Sequence, residues 1–197
     1  MNITGKLIGT LTGTFGGAAL VLSAVPALAD GTFVQIEQAK STSGAVLAVN
    51  RDRLTYGGVV SHWDGGASVV GSALYGFDTP FGASFKVGPA FGGVFKDGEE
   101  DDYELGLRAS LDRWMPTSWG SFYYLAEVNS IDNSWFLLAS TGWGNSGFGT
   151  ELSTGGSDSY SDTTLAVNKR YDGPVSLRAG YRFESEEFFI GFSINTF

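Results

Sequence analysis

From residue 30 onward, apolar and polar residues alternate with a period of two in short runs that Gly, Pro, Asn and Asp interrupt. Tyr103, Leu105, Leu107, Ala109 and Leu111 oppose Glu104, Gly106, Arg108, Ser110 and Asp112, and Val175, Leu177, Ala179, Tyr181 and Phe183 oppose Ser176, Arg178, Gly180 and Arg182. Such alternation sends one set of side chains to each face of a β-strand. Read along the chain it predicts twelve strands, centred on residues 32–38, 44–50, 55–62, 67–77, 82–95, 103–114, 119–129, 134–142, 148–154, 160–170, 174–183 and 188–196. Ten would result if the first two were irregular. Pro89 is the one breaker inside an expected strand and calls for a bulge or an unpaired position there.

No stretch after Asp30 approaches the ~20 continuous apolar residues of a spanning helix, so this chain can cross a bilayer only as a closed barrel. The polar face, with its full charges, would then line a lumen, whereas a soluble sandwich would put it in water. Strand ends favour the barrel. Trp63, Trp114, Trp119, Trp135 and Trp143 all fall near expected turns, the pattern of an interfacial aromatic girdle at headgroup level. Connections also alternate in kind. Residues 51–54, 78–81, 115–118, 143–147 and 171–173 read as short periplasmic turns, while the acidic 96–102 and the low-complexity 155–159 would face outward. The expected fold is therefore all-β, a transmembrane antiparallel up-and-down barrel in the outer membrane of a Gram-negative bacterium.

The N-terminal segment supports that location. Lys6 precedes a mostly apolar stretch from Leu7 to Val25, and Ala27-Leu28-Ala29 has the small-x-small spacing that signal peptidase accepts. Residues 1–29 are thus expected to be a cleaved signal peptide, and residues 30–197 one barrel domain. The mature part would carry eleven Lys and Arg against twenty-one Asp and Glu, a net charge of −10 that argues against nucleic-acid partners. With zero Cys there are no disulfides, no thiolate metal sites and no lipoprotein anchor, and no cofactor is expected.

Few motifs carry chemistry. Gly142, Gly144 and Gly147 have the spacing of a dinucleotide loop, but a further strand pattern follows where a helix would be required, so a tight turn is the reading. The run Asp97, Glu99, Glu100, Asp101, Asp102 and Glu104 offers hard oxygens for a divalent cation but lacks an ordered ligand spacing. A solvated, self-repelling loop is the simpler reading, and cation bridging to lipopolysaccharide phosphates the alternative. His62 is the single histidine; Ser61 points to the opposite face, so the two cannot form a dyad, although Asp64 could orient the ring. A His62-dependent lipid A hydrolase is kept only as an alternative to a non-enzymatic barrel. The inward set comprises Glu37, Lys86, Glu104, Arg108, Asp112, Glu127, Glu151, Arg170, Arg178 and Arg182, and its mixed signs imply a hydrogen-bonded interior network.

The succession GAVLAVNRD, FKVGPAFGG, the Arg113-Trp114-Met115-Pro116 turn, GFGTELSTGG, SYSDTTLAV and DGPVSLRAGYRF resembles the cellulose biosynthesis protein S (BcsS) family of alphaproteobacterial outer-membrane barrels. The resemblance implies a role in cellulose or exopolysaccharide export, with export components, membrane lipids, lipopolysaccharide and the barrel-assembly machinery as partners, and implies no catalytic residues. A small diffusion porin is the other alternative. Phe197 departs from the usual barrel pattern, being out of phase with Ile190, Phe192 and Ile194; either a bulge ends the strand or the assembly machinery reads it more loosely.

Overall fold

The computed structural model describes residues 30–96, 98, 102–158 and 160–197. The segment read as a signal peptide lies outside the described residues, as does most of the acidic run after Lys96. Twelve strands form: β1 (Gly31–Gln38), β2 (Ser43–Arg51), β3 (Leu54–Trp63), β4 (Gly66–Asp78), β5 (Ser84–Lys96), β6 (Asp102–Thr117), β7 (Gly120–Asn129), β8 (Ser134–Trp143), β9 (Phe148–Gly156), β10 (Ser161–Arg170), β11 (Val175–Arg182) and β12 (Glu187–Asn195). Each pairs antiparallel with its neighbours in sequence, and β12 returns to β1, with Phe33 opposite Asn195 and Gln38 opposite Ile190. The barrel is closed, so no strand edge is left unpaired. Because β1 and β2 are regular strands, the count is twelve, not ten.

Odd-numbered connections (β1–β2, β3–β4 and so on) define what we term the upper rim, and even-numbered ones the lower rim, where Asp30 and Phe197 also lie. The β3–β4 turn is Asp64-Gly65, with Gly65 at φ 89°, a left-handed backbone that glycine adopts without strain. Alternation is preserved throughout. In β12, Phe188, Ile190 and Phe192 are exposed outward, while Glu187 and Phe189 are buried inward. The buried interior side chains include Leu74, Ala90, Ala166 and Phe189, with Ile131 of the β7–β8 connection buried near the upper end.

The two prolines inside strands, Pro89 and Pro116, sit where a strand can dispense with an N–H. Around Pro89 the β4–β5 pairing lapses between Ser72↔Ala90 and Tyr75↔Val87, yet the register is the same on both sides, so this is an unpaired position and not a bulge. At Gly88, beside it, an added Cβ would overlap the Ala73 carbonyl oxygen, so β4 and β5 approach there only because a side chain is missing. Pro116 lies within β6, which runs on to Thr117 and shortens the expected turn to two residues. Pairing with β5 stops at Asp112, so Pro116 has only β7 beside it, with Ser121 opposite.

The phase of Phe197 is real. β12 keeps one register against both neighbours, so no bulge corrects it. Its ring lies against Gly31, whose own partner position on β2 is the buried Asn50.

Candidate functional site

Charged side chains line the interior on two walls. On the first, Arg178 of β11 is the hub: Nη2 donates to Glu151 Oε1 at 3.0 Å, Nη1 donates to Gln35 Oε1, and Nε lies 2.8 Å from Glu37 Oε1, an ion-pair distance without hydrogen-bond alignment. Arg182 donates to Glu37 Oε2 at 2.7 Å and to the Thr42 hydroxyl. Glu187 accepts from the Ser41 N–H at 2.7 Å and from the Thr42 hydroxyl at 2.7 Å. Both guanidiniums lie over the ring of Phe189, 5.5 and 5.0 Å from its centroid. Local register explains the reach. Gly191 stands directly between Arg178 on one side and Glu37 on the other, and no side chain there separates the two.

On the second wall Lys86 Nζ donates to Asp112 Oδ1 at 2.7 Å, and Arg108 donates to Glu127 Oε2 at 2.6 Å and to the Ser72 hydroxyl at 3.1 Å. Tyr123 lies within electrostatic reach of Asp112, Glu127 and Glu151. All of these contacts join strands no more than two apart, apart from those that Arg182 and Glu187 make to the β1–β2 connection. The side chains therefore run along the wall between nearby strands.

At the upper rim the arrangement changes. Trp63, ending β3, stacks on Tyr160, which precedes β10 on the opposite side of the ring of strands, with centroids 6.0 Å apart and planes inclined by 22°. Tyr160 donates its hydroxyl to Asp162 Oδ2 at 2.7 Å; burial and that hydrogen bond push the phenol pKa above its ordinary value. Asp162 also accepts from the Ser185 hydroxyl and from the Glu184 N–H at 3.1 Å. A 3₁₀ turn at Ile131–Asn133 folds over the inward face of Gly106, whose added Cβ would come within 2.9 Å of Ile131. Asn133 donates to Asp158 at 2.7 Å, tying this turn to the β9–β10 connection. The upper mouth is narrowed from two sides.

Of the residues expected inside, Glu37, Lys86, Arg108, Asp112, Glu127, Glu151, Arg178 and Arg182 are brought into ion pairs. Glu104 faces inward between Tyr103 and Leu105 without an ion pair among the described residues. Arg170 is not part of the network; it sits at the lower rim, donating to the carbonyl oxygens of Gly173 at 3.0 Å and Asn195 at 3.4 Å. Sequence reasoning missed Phe189, the platform under both arginines, although it is the one aromatic in the polar phase of β12.

Among the tryptophans, Trp119, Trp135 and Trp143 are exposed, and the Trp119 and Trp143 rings lie 6.1 Å apart at the lower rim. Trp63 and Trp114 do not join an outward girdle. Trp63 shares the inward phase of Ser61, and Trp114 is opposite Tyr123 in the phase of Asp112. Nearness to a turn sets a residue's height in the barrel, whereas phase sets its side, and for these two the phase is inward.

His62 is exposed and in the outward phase, with Ser43 its neighbour on β2 and Ala67 on β4. Neither hydrogen bond nor ion pair joins it to another described residue. It lines a cleft of about 500 Å³ with Trp63, Asp64, Phe95 and Lys96 at the upper rim. The described residues contain no group of three His, Cys, Asp or Glu arranged to hold a metal.

No protein-family model and no curated protein matches the sequence. Solved structures with a similar shape include a KdgM porin in complex with disordered oligogalacturonate, 12% identical with a TM-score of 0.51, covering 83% of this chain and 98% of that one. A second KdgM porin structure is 13% identical with a TM-score of 0.49 and the same coverage. At such identity the likeness concerns the fold: a closed twelve-strand antiparallel barrel.

Proposed function

We propose that this chain is an outer-membrane barrel that acts as a narrow diffusion pore for small hydrophilic solutes, with its upper rim at the cell surface. The observation that carries the reading is an apolar exterior around a charged interior. Each of the twelve strands presents exposed large apolar side chains outward, reaching 86% exposure at Leu105, 80% at Phe188 and 71% at Ile190. Left in water, such side chains forgo about 1.5–3 kcal/mol each, and soluble monomers rarely expose so continuous an apolar band. A bilayer accounts for it, and closure satisfies the backbone that hydrocarbon cannot. Trp119, Trp135 and Trp143 would then anchor the interfaces. Lipopolysaccharide surrounds the upper rim in this reading, and the barrel-assembly machinery inserts the chain.

Refolded, heat-modifiable protein in planar bilayers should give discrete conductance steps. Folded protein that repeatedly yields none would refute the pore, and recovery only in the soluble periplasm would refute the membrane assignment. The motif resemblance to the BcsS family supports a second reading, a non-enzymatic accessory of cellulose export. Gene deletion that lowers cellulose while leaving solute uptake unchanged would favour it.

A further inference from the structure

We propose that the bore favours small cations and uncharged solutes and rejects polyanions. The inference rests on the pore reading and names the solute class for it. Four bases with side chains at most 13% exposed face the bore, Lys86, Arg108, Arg178 and Arg182, and each lies within 3.0 Å of a carboxylate oxygen. Among the described residues, seven buried or half-buried carboxylates face the same bore: Glu37, Glu104, Asp112, Glu127, Glu151, Asp162 and Glu187. Four of them neutralise the bases. Asp162 and Glu187 are held by hydroxyl and backbone donors, and Glu104 has no cation among the described residues. The interior thus carries an excess of three negative charges.

The rims extend the bias. Described residues of the upper rim include Asp64, Asp132, Asp158, Glu184 and Glu186 against Lys40 and Lys96, while the lower rim sets Arg51, Arg53, Arg113, Lys169 and Arg170 against Asp30, Asp52, Asp78 and Asp172. A cation entering from above meets negative potential first, focused by low-dielectric walls. A polyanion needs a ladder of unneutralised cations. Here every interior guanidinium and ammonium is engaged, so an anionic solute could bind only by displacing a carboxylate.

The test is the reversal potential in planar bilayers under a KCl gradient. We expect K⁺ to be preferred over Cl⁻ in the parent protein. Glu104→Gln should lower the permeability ratio about twofold, the effect of one unit charge seen at ~10 Å through screened water. Glu127→Gln, which leaves Arg108 with no carboxylate partner, should move the ratio further toward chloride, and Glu104→Gln carries the test should that variant misassemble. In liposome swelling, glucose should enter faster than gluconate, its anion of similar size. An anion preference, a ratio unmoved by Glu104→Gln, or gluconate entry as fast as glucose would overturn the inference while leaving the pore intact. Folded protein without conductance would overturn both.

Discussion

Replacing Arg178 by Met tests whether the interior network holds the barrel wall together. The side chain is 5% exposed, and its carboxylate partners Glu37 and Glu151 are 11% and 13% exposed, so all three lie largely away from bulk solvent. Removing one member of a buried ion pair costs about 3–5 kcal/mol, chiefly because its partner is left charged and unpaired. The consequences for the two carboxylates differ. Glu37 keeps Arg182 at 2.7 Å, but Glu151 has no second cation among the described residues. Most of the loss should therefore come from Glu151. Arg178→Met is expected to destabilise by about 3–5 kcal/mol, and Arg178→Met with Glu151→Gln to recover about half of that, since an amide tolerates the vacated site better than a carboxylate. Urea titration of vesicle-inserted protein, followed by the emission of the five tryptophans, reads both values from the midpoint at constant slope. A loss below about 1 kcal/mol would show that water already screens the cluster, and a double variant as unstable as the single would show that stranding of Glu151 is not the cause.

Three further outcomes are expected. Trp63→Ala combined with Tyr160→Ala removes the stack over the upper mouth and should raise single-channel conductance; an unchanged value would place the constriction elsewhere. Gly88→Val drives a side chain into the Ala73 carbonyl and should abolish the heat-modifiable folded band, whereas Gly71→Ala, whose Cβ would meet nothing closer than 3.8 Å, should assemble normally. His62→Ala should leave the lipid A mass spectrum unchanged, because the imidazole is exposed and has no hydrogen-bond partner among the described residues to make it a base; a changed spectrum would revive the hydrolase reading.

The strand pattern was largely legible because two different solvents write it. Each residue must suit either lipid or lumen, and that choice flips with every position, so Leu105 and Arg108, or Ile190 and Gly191, declare their sides from sequence alone. Twelve strands and their turns follow to within a few residues. Where the strand pattern was misjudged, at Pro116, a backbone group goes unpaired. A missing N–H at Pro116 reads as a turn, yet it lies on a stretch of β6 that has already run past β5, and only the stagger between strands shows this. Pro89 is the same question in mid-sheet, answered by a local lapse in pairing that Gly88 makes room for.

For the interior, residue identity was legible but partnership was not. Alternation places Arg178, Glu37 and Glu151 on one face, and nothing in their spacing along the chain says that they meet. Their meeting depends on height around a closed sheet, which four registers set together: Arg178 opposite Gly191, Gly191 opposite Glu37, Glu151 opposite Ala166, and Ala166 opposite Gly180. The intervening inward residues are Gly or Ala in each case. That is the signal a reader of the sequence could have used. A long cation can lie along a wall only over neighbours that take up no room, so small residues in the inward phase of strands flanking an arginine mark where its guanidinium goes. The same reasoning applies to Trp63. Gly66 beside it has no side chain to obstruct the indole, and a bulky inward tryptophan next to an empty position at a rim has the mouth of the barrel as its available space.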